Sequence, residues 1–341
     1  MSYITMALGW LLKLCSIICG NYGLAIIIFT ILIKAVLLPL TVKQQRSMLK
    51  TQKLQPLLME IQQKYANDKE KQQQETMKLY QKYQINPMSG CLPLLIQLPI
   101  LMMLYFVVKD PVVYIMGFGK DEVWRIISAV VEWSESTPGG MESFLSAAGV
   151  SSLEELTGNN YRMFGLHSIQ IARFLADTPA VMSNHWITEM GKNLEVIRFN
   201  FLGLDLSQMP DFGKVLWLFT GRANELTTSD IALWSIPVLS GLSAFVSSKF
   251  SQSQTPQQQP AAKDGEEQPN PMKGMMTIMP LMSAWFAFTL PSAVGLYWII
   301  SNILALVQQV VLNKVMKSGI SDEEIEGEII NAKKNRKKRK K

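Results

Sequence analysis

The sequence predicts an all-α polytopic membrane protein with five transmembrane helices and a cytoplasmic antiparallel helical hairpin. Three observations predict it. Long apolar stretches cover 22–42, 91–108, 231–250 and 275–312, and none contains an Asp or Glu. Crossing a hydrocarbon core takes about 20 apolar residues as a helix, so the last stretch is too long for one crossing. Pro291-Ser292 divides it into spans at 275–290 and 293–312. Finally, basic residues concentrate in two segments that five crossings bring to one membrane face.

Those segments also set the orientation. The stretch 43–90 holds nine Lys and Arg residues, and eight of the nine positions in 333–341 are basic. Short loops rich in Lys and Arg stay cytoplasmic, whereas long loops such as 109–230 cross largely regardless of charge. The expected topology is therefore N-terminus outside and C-terminus cytoplasmic, in a bacterial cell membrane.

Residues 1–21 place Ile4, Leu8, Leu11, Cys15 and Ile18 at helical spacing, the pattern of a helix lying in the interface plane. A simple extension of the first span is the other reading. Cys15, Cys19 and Cys91 read as small apolar residues. Lipid attachment at Cys15 is disfavoured by Lys13, which interrupts the apolar run that a signal sequence needs.

Between the first two spans, apolar residues recur at Leu54, Leu57, Leu58, Ile61 and Tyr65, then at Met77, Tyr80 and Tyr83. Three-and-four spacing makes a helical seam, and Asn67-Asp68 is the turn candidate. A helical hairpin within 43–90 follows. In the outside region 109–230, helix-like pieces at 122–135 and 141–148 flank Thr137-Pro138-Gly139-Gly140, with Trp124, Ile127, Val130 and Val131 near one face. A loop of this length with its own apolar content is expected to be ordered. Residues 251–274, rich in Gln, Pro and Ser, read as a flexible cytoplasmic linker, and 313–341 as a basic cytoplasmic tail.

One residue stands out chemically. Lys34 lies inside the first span, roughly 12 Å from its cytoplasmic end in a straight helix. A central Lys costs about 2.5 to 3.5 kcal/mol on insertion scales, and no span offers a carboxylate partner. Such a cation needs water, so Lys34 is expected to face a wet cavity. Thr30, one turn away, shares its face, and depth argues against a lysine that snorkels to the headgroups. Gln97, between Pro93 and Pro99, and Asn302 add uncharged polarity within spans. Each alone is commonly interhelical glue.

Enzyme signatures are absent from the sequence. No G-x-x-x-x-G-K loop occurs, and His167 and His185 lack metal-ligand spacing to Cys or acidic partners. Neither catalysis nor a cofactor is expected. The terminal run 333–341 suits anionic lipid, ribosomal RNA or a purely topogenic tail, and charge alone does not separate these.

Particular stretches resemble the YidC/Oxa/Alb insertase family. NYGLAIII at 21–28 and LPLT at 38–41 are similar to its first core span. NPMSGCLPLLIQLP at 86–99 is similar to its most recognisable stretch. MPLM at 279–282, Pro291-Ser292 and GLYWIISN at 295–302 resemble its last two spans. With no large folded domain before the first span, the chain resembles the shorter bacterial members.

The resemblance implies five helices around a hydrophilic groove open to cytoplasm and lipid. One cation in that groove attracts acidic residues of a translocating segment. Lys34 falls on the cation position, with Thr30, Gln97, Tyr297, Trp298 and Asn302 at other groove positions. The implied function is insertion and folding of membrane proteins, alone or with the Sec translocon. Implied partners are nascent membrane proteins, the ribosome through hairpin and tail, and anionic lipids.

There are departures. The family cation is usually Arg, whose forked donor geometry Lys lacks, and a buried Lys can also give up its proton. The third span ends Phe245-Val246-Ser247-Ser248, where relatives often offer Gln. The outside loop is longer than in the shorter relatives, and only FLGLDL at 201–206 looks familiar. Two rival classes are a solute transporter, which commonly uses intramembrane Asp, Glu or His, and a structural subunit of a larger translocon.

Overall fold

The computed structural model describes residues 2–83, 92–157, 164–165, 167–191, 196–254 and 271–319. Cys91, most of the 251–274 linker and the basic run 333–341 lie outside the described residues. The principal helices are α1 (Ser2–Cys19), α2 (Tyr22–Val36), α3 (Leu38–Lys53), α4 (Gln55–Lys64), α5 (Lys69–Lys82) and α6 (Leu92–Lys109). They continue with α7 (Val123–Ser136), α8 (Gly140–Ala148), α9 (Ser168–Asp177), α10 (Thr228–Gln254), α11 (Pro271–Thr289) and α12 (Ser292–Gly319). A two-stranded antiparallel pair, β1 (Asn200–Phe201) and β2 (Leu204–Asp205), is the one sheet among the described residues.

Among the described residues, two helices are long and apolar enough to cross a bilayer, over Thr228–Ser251 and Ser292–Val315. A third candidate is the pair α2 and α3, bent by 59° at its break. The cause of the bend is local. Pro39 has no N–H to give to the carbonyl four residues back, and its ring crowds that turn. The straight-helix depth for Lys34 therefore does not apply, because the eight residues that follow it do not share one axis. Tyr3–Cys19 is apolar but shorter, and α6 is apolar over Gln97–Lys109.

The chain forms two compact units. The first comprises Met1–Leu32, Pro99–Ser240 and Ala284–Ile300. Within it, α7, α8 and α9 build a small aromatic core, with Phe174 edge-on to Phe144 (5.1 Å) and to Trp133 (5.7 Å). The buried stripe of α7 is Val123, Ile126, Ala129 and Val130, which shares only Val130 with the Trp124, Ile127, Val130 and Val131 face read from the sequence. Trp124 is instead half-exposed and meets Trp186 edge-on. Both stripes satisfy helical spacing, and packing against α8 and the short helices Pro179–Met182 and His185–Thr188 selects the one that is buried.

Helix α1 leaves most of its large apolar residues exposed. Thr5, Gly9, Leu12, Cys15 and Ser16 are buried, while Tyr3, Ile4, Met6, Trp10 and Ile18 are exposed. A Cβ on Gly9 would stand 3.0 Å from the Tyr114 backbone oxygen, so glycine permits the close approach. Small or polar residues inward and large apolar ones outward is the pattern a lipid surround favours.

The β pair has a structural task in this unit. Leu202 (φ 51°) and Gly203 (φ 81°) both take positive φ, the signature of a tight hairpin turn matched to strand twist. Asn21 caps α2 by accepting from the Gly23 and Leu24 amides and donates to the Asn200 carbonyl (2.9 Å). The Ser292 and Ala293 amides donate to the Gln208 and Leu206 carbonyls. The hairpin and its exit thus hold the N-terminal ends of α2 and α12, supplying partners for amides that a helix start leaves unpaired.

The second unit comprises Ile33–Leu98, Gly241–Ser283 and Ser301–Lys341. In it α4 and α5 touch, joined by residues 65–68. The Asp68 side chain accepts from the Lys71 amide at 3.0 Å, capping α5. Leu54 and Leu58 are buried, whereas no residue of α5 is.

Candidate functional site: a polar seam along α12

In the second unit, α12 carries amide side chains at 302, 309 and 313. Steps of seven and four put these on one helical face. Each meets a polar partner. Asn302 Nδ2 donates to Ser243 Oγ (3.2 Å), and Gln309 Nε2 to Ser251 Oγ (3.4 Å). Gln45 Nε2 donates to Asn313 Oδ1, and both residues are more than nine-tenths buried. One position round from Gln309, Gln308 donates to the Lys34 carbonyl at 3.3 Å. Interhelical polar contacts of this kind contribute about 0.6 kcal/mol each on average. Their alignment gives an otherwise apolar helix one polar side.

Lys34 occupies the last turn of α2 and is half-buried. Among the described residues of its unit, no carboxylate pairs with its ammonium. Water or a visiting anion must supply its hydrogen-bond partners. Gln97, also in this unit, is half-buried within α6. Lys34, Gln97 and Asn302 therefore share the second unit.

Thr30, Tyr297 and Trp298 belong to the first unit. Thr30 is fully buried, and its hydroxyl donates to the Ile26 carbonyl at 2.6 Å. Its proton is engaged within its own helix, leaving only the oxygen's acceptor capacity. Tyr297 is almost fully buried. Trp298 is half-buried and stacks on Phe286 with centroids 6.1 Å apart. His167 lies 2.9 Å from the Ala148 carbonyl and His185 3.5 Å from Glu132. Among the described residues, no cluster of three metal-ligating side chains occurs.

Gln45, Ser243, Gln308, Gln309 and Asn313 were not singled out by the sequence. Polar residues at span ends are ordinary, so Gln45 and Asn313 carry no signal alone. The one available clue was the amide spacing along α12. Asn313 Nδ2 has no partner among the described residues, so the pair's main bond matters. We expect Gln45→Leu or Asn313→Leu alone to cost about 1–3 kcal/mol by stranding the other amide. The double Leu variant should lose less than the two singles together. Thermal stability of the detergent-solubilised variants checks this, and additive losses would refute the pairing.

Long apolar helices, a polar seam and a half-buried cation with no carboxylate partner among the described residues of its unit define this as an α-helical membrane protein. Over residues 14–319 the chain matches the model of the 60Kd inner membrane protein family, and it belongs to that family. The YidC/Oxa/Alb likeness carried by its motifs stands with this match. The chain is 28% identical over 322 residues to Membrane protein insertase YidC 2 of Listeria innocua, covering 93% of this chain and 72% of that one. It is 27% identical over 312 residues to Membrane protein insertase YidC of Beijerinckia indica, covering 92% of this chain and 37% of the relative. A shorter match, 54% identical over 94 residues, links it to Membrane protein insertase YidC of Fusobacterium nucleatum, covering 28% and 46%. The matched part is thus less than half the length of the last two relatives.

Proposed function

We propose that this chain is a membrane protein insertase and chaperone of the bacterial cell membrane, with its N-terminus outside and its C-terminus cytoplasmic. The observation that carries the reading is Lys34, half-buried in an apolar helix with no carboxylate partner among the described residues of its unit. Its carbonyl is tied to the polar face of α12 by Gln308. Lys34, Gln97 and Asn302 form the proposed hydrophilic groove. Water reaching these groups lowers the cost of moving an acidic tail partway across. The hydrophobic effect on the substrate's own span then drives the rest. No cofactor or energy source enters the scheme. Half-exposed Trp298, stacked on Phe286, is proposed as an apolar contact for the passing chain. Thr30 and Tyr297, both buried, are proposed to hold the helices of the first unit together.

The proposed substrates are nascent membrane proteins. Helices α4 and α5 are read as the cytoplasmic hairpin that receives the ribosome or its chain, together with the basic tail. Anionic lipids and the Sec translocon are the other proposed partners. The relatives' name, membrane protein insertase, favours this reading over a transporter or a structural subunit. It is tested with a single-span substrate bearing an acidic N-tail, added to vesicles with and without this protein. Protease protection of the tail only in protein-containing vesicles supports insertion. Equal protection in both refutes it. Deleting 50–80 should lower insertion of ribosome-delivered chains several-fold, and an unchanged yield would remove the hairpin's role.

A further inference from the structure

The first unit carries an exposed apolar patch that the insertion scheme does not use. Between β2 and α10 the chain makes a short helix, Phe212–Val215, and a 3-10 turn, Leu216–Leu218. Here Met209 is 54% exposed, Leu216 55% and Phe219 82%. Contiguous apolar exposure on this scale marks a surface that meets something other than water.

Four of the five charged groups around the patch are paired with one another, and the fifth, Asp211, is hydrogen-bonded to backbone. Asp211 accepts from the Gly213 and Lys214 amides. Lys214 Nζ reaches Asp230 at 2.6 Å, and Arg222 pairs with Glu225 at 2.6 Å. These are all the acidic and basic residues in 209–230. The Arg222 guanidinium also lies 4.2 Å over the Trp217 ring. Such pairing lowers the cost of bringing the segment to a membrane surface.

Position supplies the occupant. The Phe212 ring meets Trp285 (5.4 Å) and Phe288 (5.3 Å) in the last turns of α11. Trp234, in the second turn of α10, donates its indole N–H to the Asp211 carbonyl at 3.2 Å. The candidate membrane span Thr228–Ser251 begins just beyond, and only 22% of its apolar window is buried. The surface continuous with the patch is therefore largely open, as a lipid-facing helix requires. Trp and Phe gathered at the end of a span are what a membrane–water interface selects.

We propose that 209–220 is an interfacial anchor, seating Leu216, Leu218 and Phe219 among lipid headgroups and upper acyl chains at the end where α10 begins. The proposal rests on membrane residence and is independent of the insertion reading.

To test it, Phe219→Cys is made in a chain whose Cys15, Cys19 and Cys91 are replaced by Ala, and the new thiol carries a water-sensitive fluorophore. Ser146→Cys, exposed on α8, is the reference. In phosphatidylglycerol–phosphatidylethanolamine vesicles the 219 probe should be blue-shifted relative to 146. It should be quenched more by shallow spin-labelled lipids than by aqueous iodide, with the reverse at 146. A 219 probe that behaves like 146 overturns the proposal. So does one shielded from both quenchers, which would indicate a protein partner or a second copy. Should the cysteine-free chain not fold, a diazirine amino acid at 219 in the native background gives the same reading. Lipid adducts support the anchor, and adducts confined to protein or water refute it.

Discussion

Lys34→Ala is expected to lower insertion of an acidic-tailed single-span substrate by about tenfold or more, while Lys34→Arg stays close to the native chain. A charge pair about 4 Å apart at an effective dielectric near 20 is worth roughly 4 kcal/mol. Water in a groove screens part of this, and a third of the value already corresponds to about tenfold. The effect should follow substrate charge. A substrate whose tail acids are changed to Asn or Gln should barely distinguish the native chain from the Lys34→Ala variant. The measurement is protease protection of the tail in vesicles at matched protein levels. Equal activity of all three chains would leave insertion standing and reduce Lys34 to one hydrating group among several. An equal loss for acidic and neutral tails would point to folding instead of charge.

The other large effect is expected at Gly23, in the first unit. A Cβ there would stand 2.6 Å from Phe201 Cβ and closer still to the ring carbons Cγ and Cδ2. Neither partner can yield easily, since Asn21 and Asn200 bond beside the contact and Tyr22 packs edge-on against Phe199 at 5.2 Å. Overpacking usually costs about 1–3 kcal/mol, and a branched side chain in so little space belongs at the upper end. Gly23→Val should therefore lower the unfolding midpoint in detergent by roughly 5 °C or more. Adding Phe201→Ala should recover part of that loss, because it vacates the space the valine needs. An unchanged midpoint for Gly23→Val would show that the hairpin does not press on α2.

Membrane residence was legible because hydrocarbon imposes a length and a composition on any crossing helix, and such stretches stand out in one dimension. Lys34 was legible for the same reason, being a cation inside an apolar run. The bend after Val36 had a visible cause in Pro39, yet the sequence reading ran one straight span through to Val42. Proline permits a kink without stating its angle. Which faces of α1 and α7 are buried was not legible, because helical spacing offers several candidate stripes. Outside water, the rule that the apolar stripe is the buried one can invert.

Residue chemistry taken in order along the chain was enough to establish an α-helical membrane protein and the family likeness, and to single out Lys34 within an apolar run. Tertiary structure alone decided that Gln45 bonds Asn313, 268 positions away, that Ser243 answers Asn302, and that a two-residue hairpin turned on Leu202-Gly203 secures the starts of α2 and α12. The physical reason is that burial in lipid is a property of composition, which each segment carries by itself. A hydrogen bond belongs to two groups, and which two meet is settled only when the chain has folded.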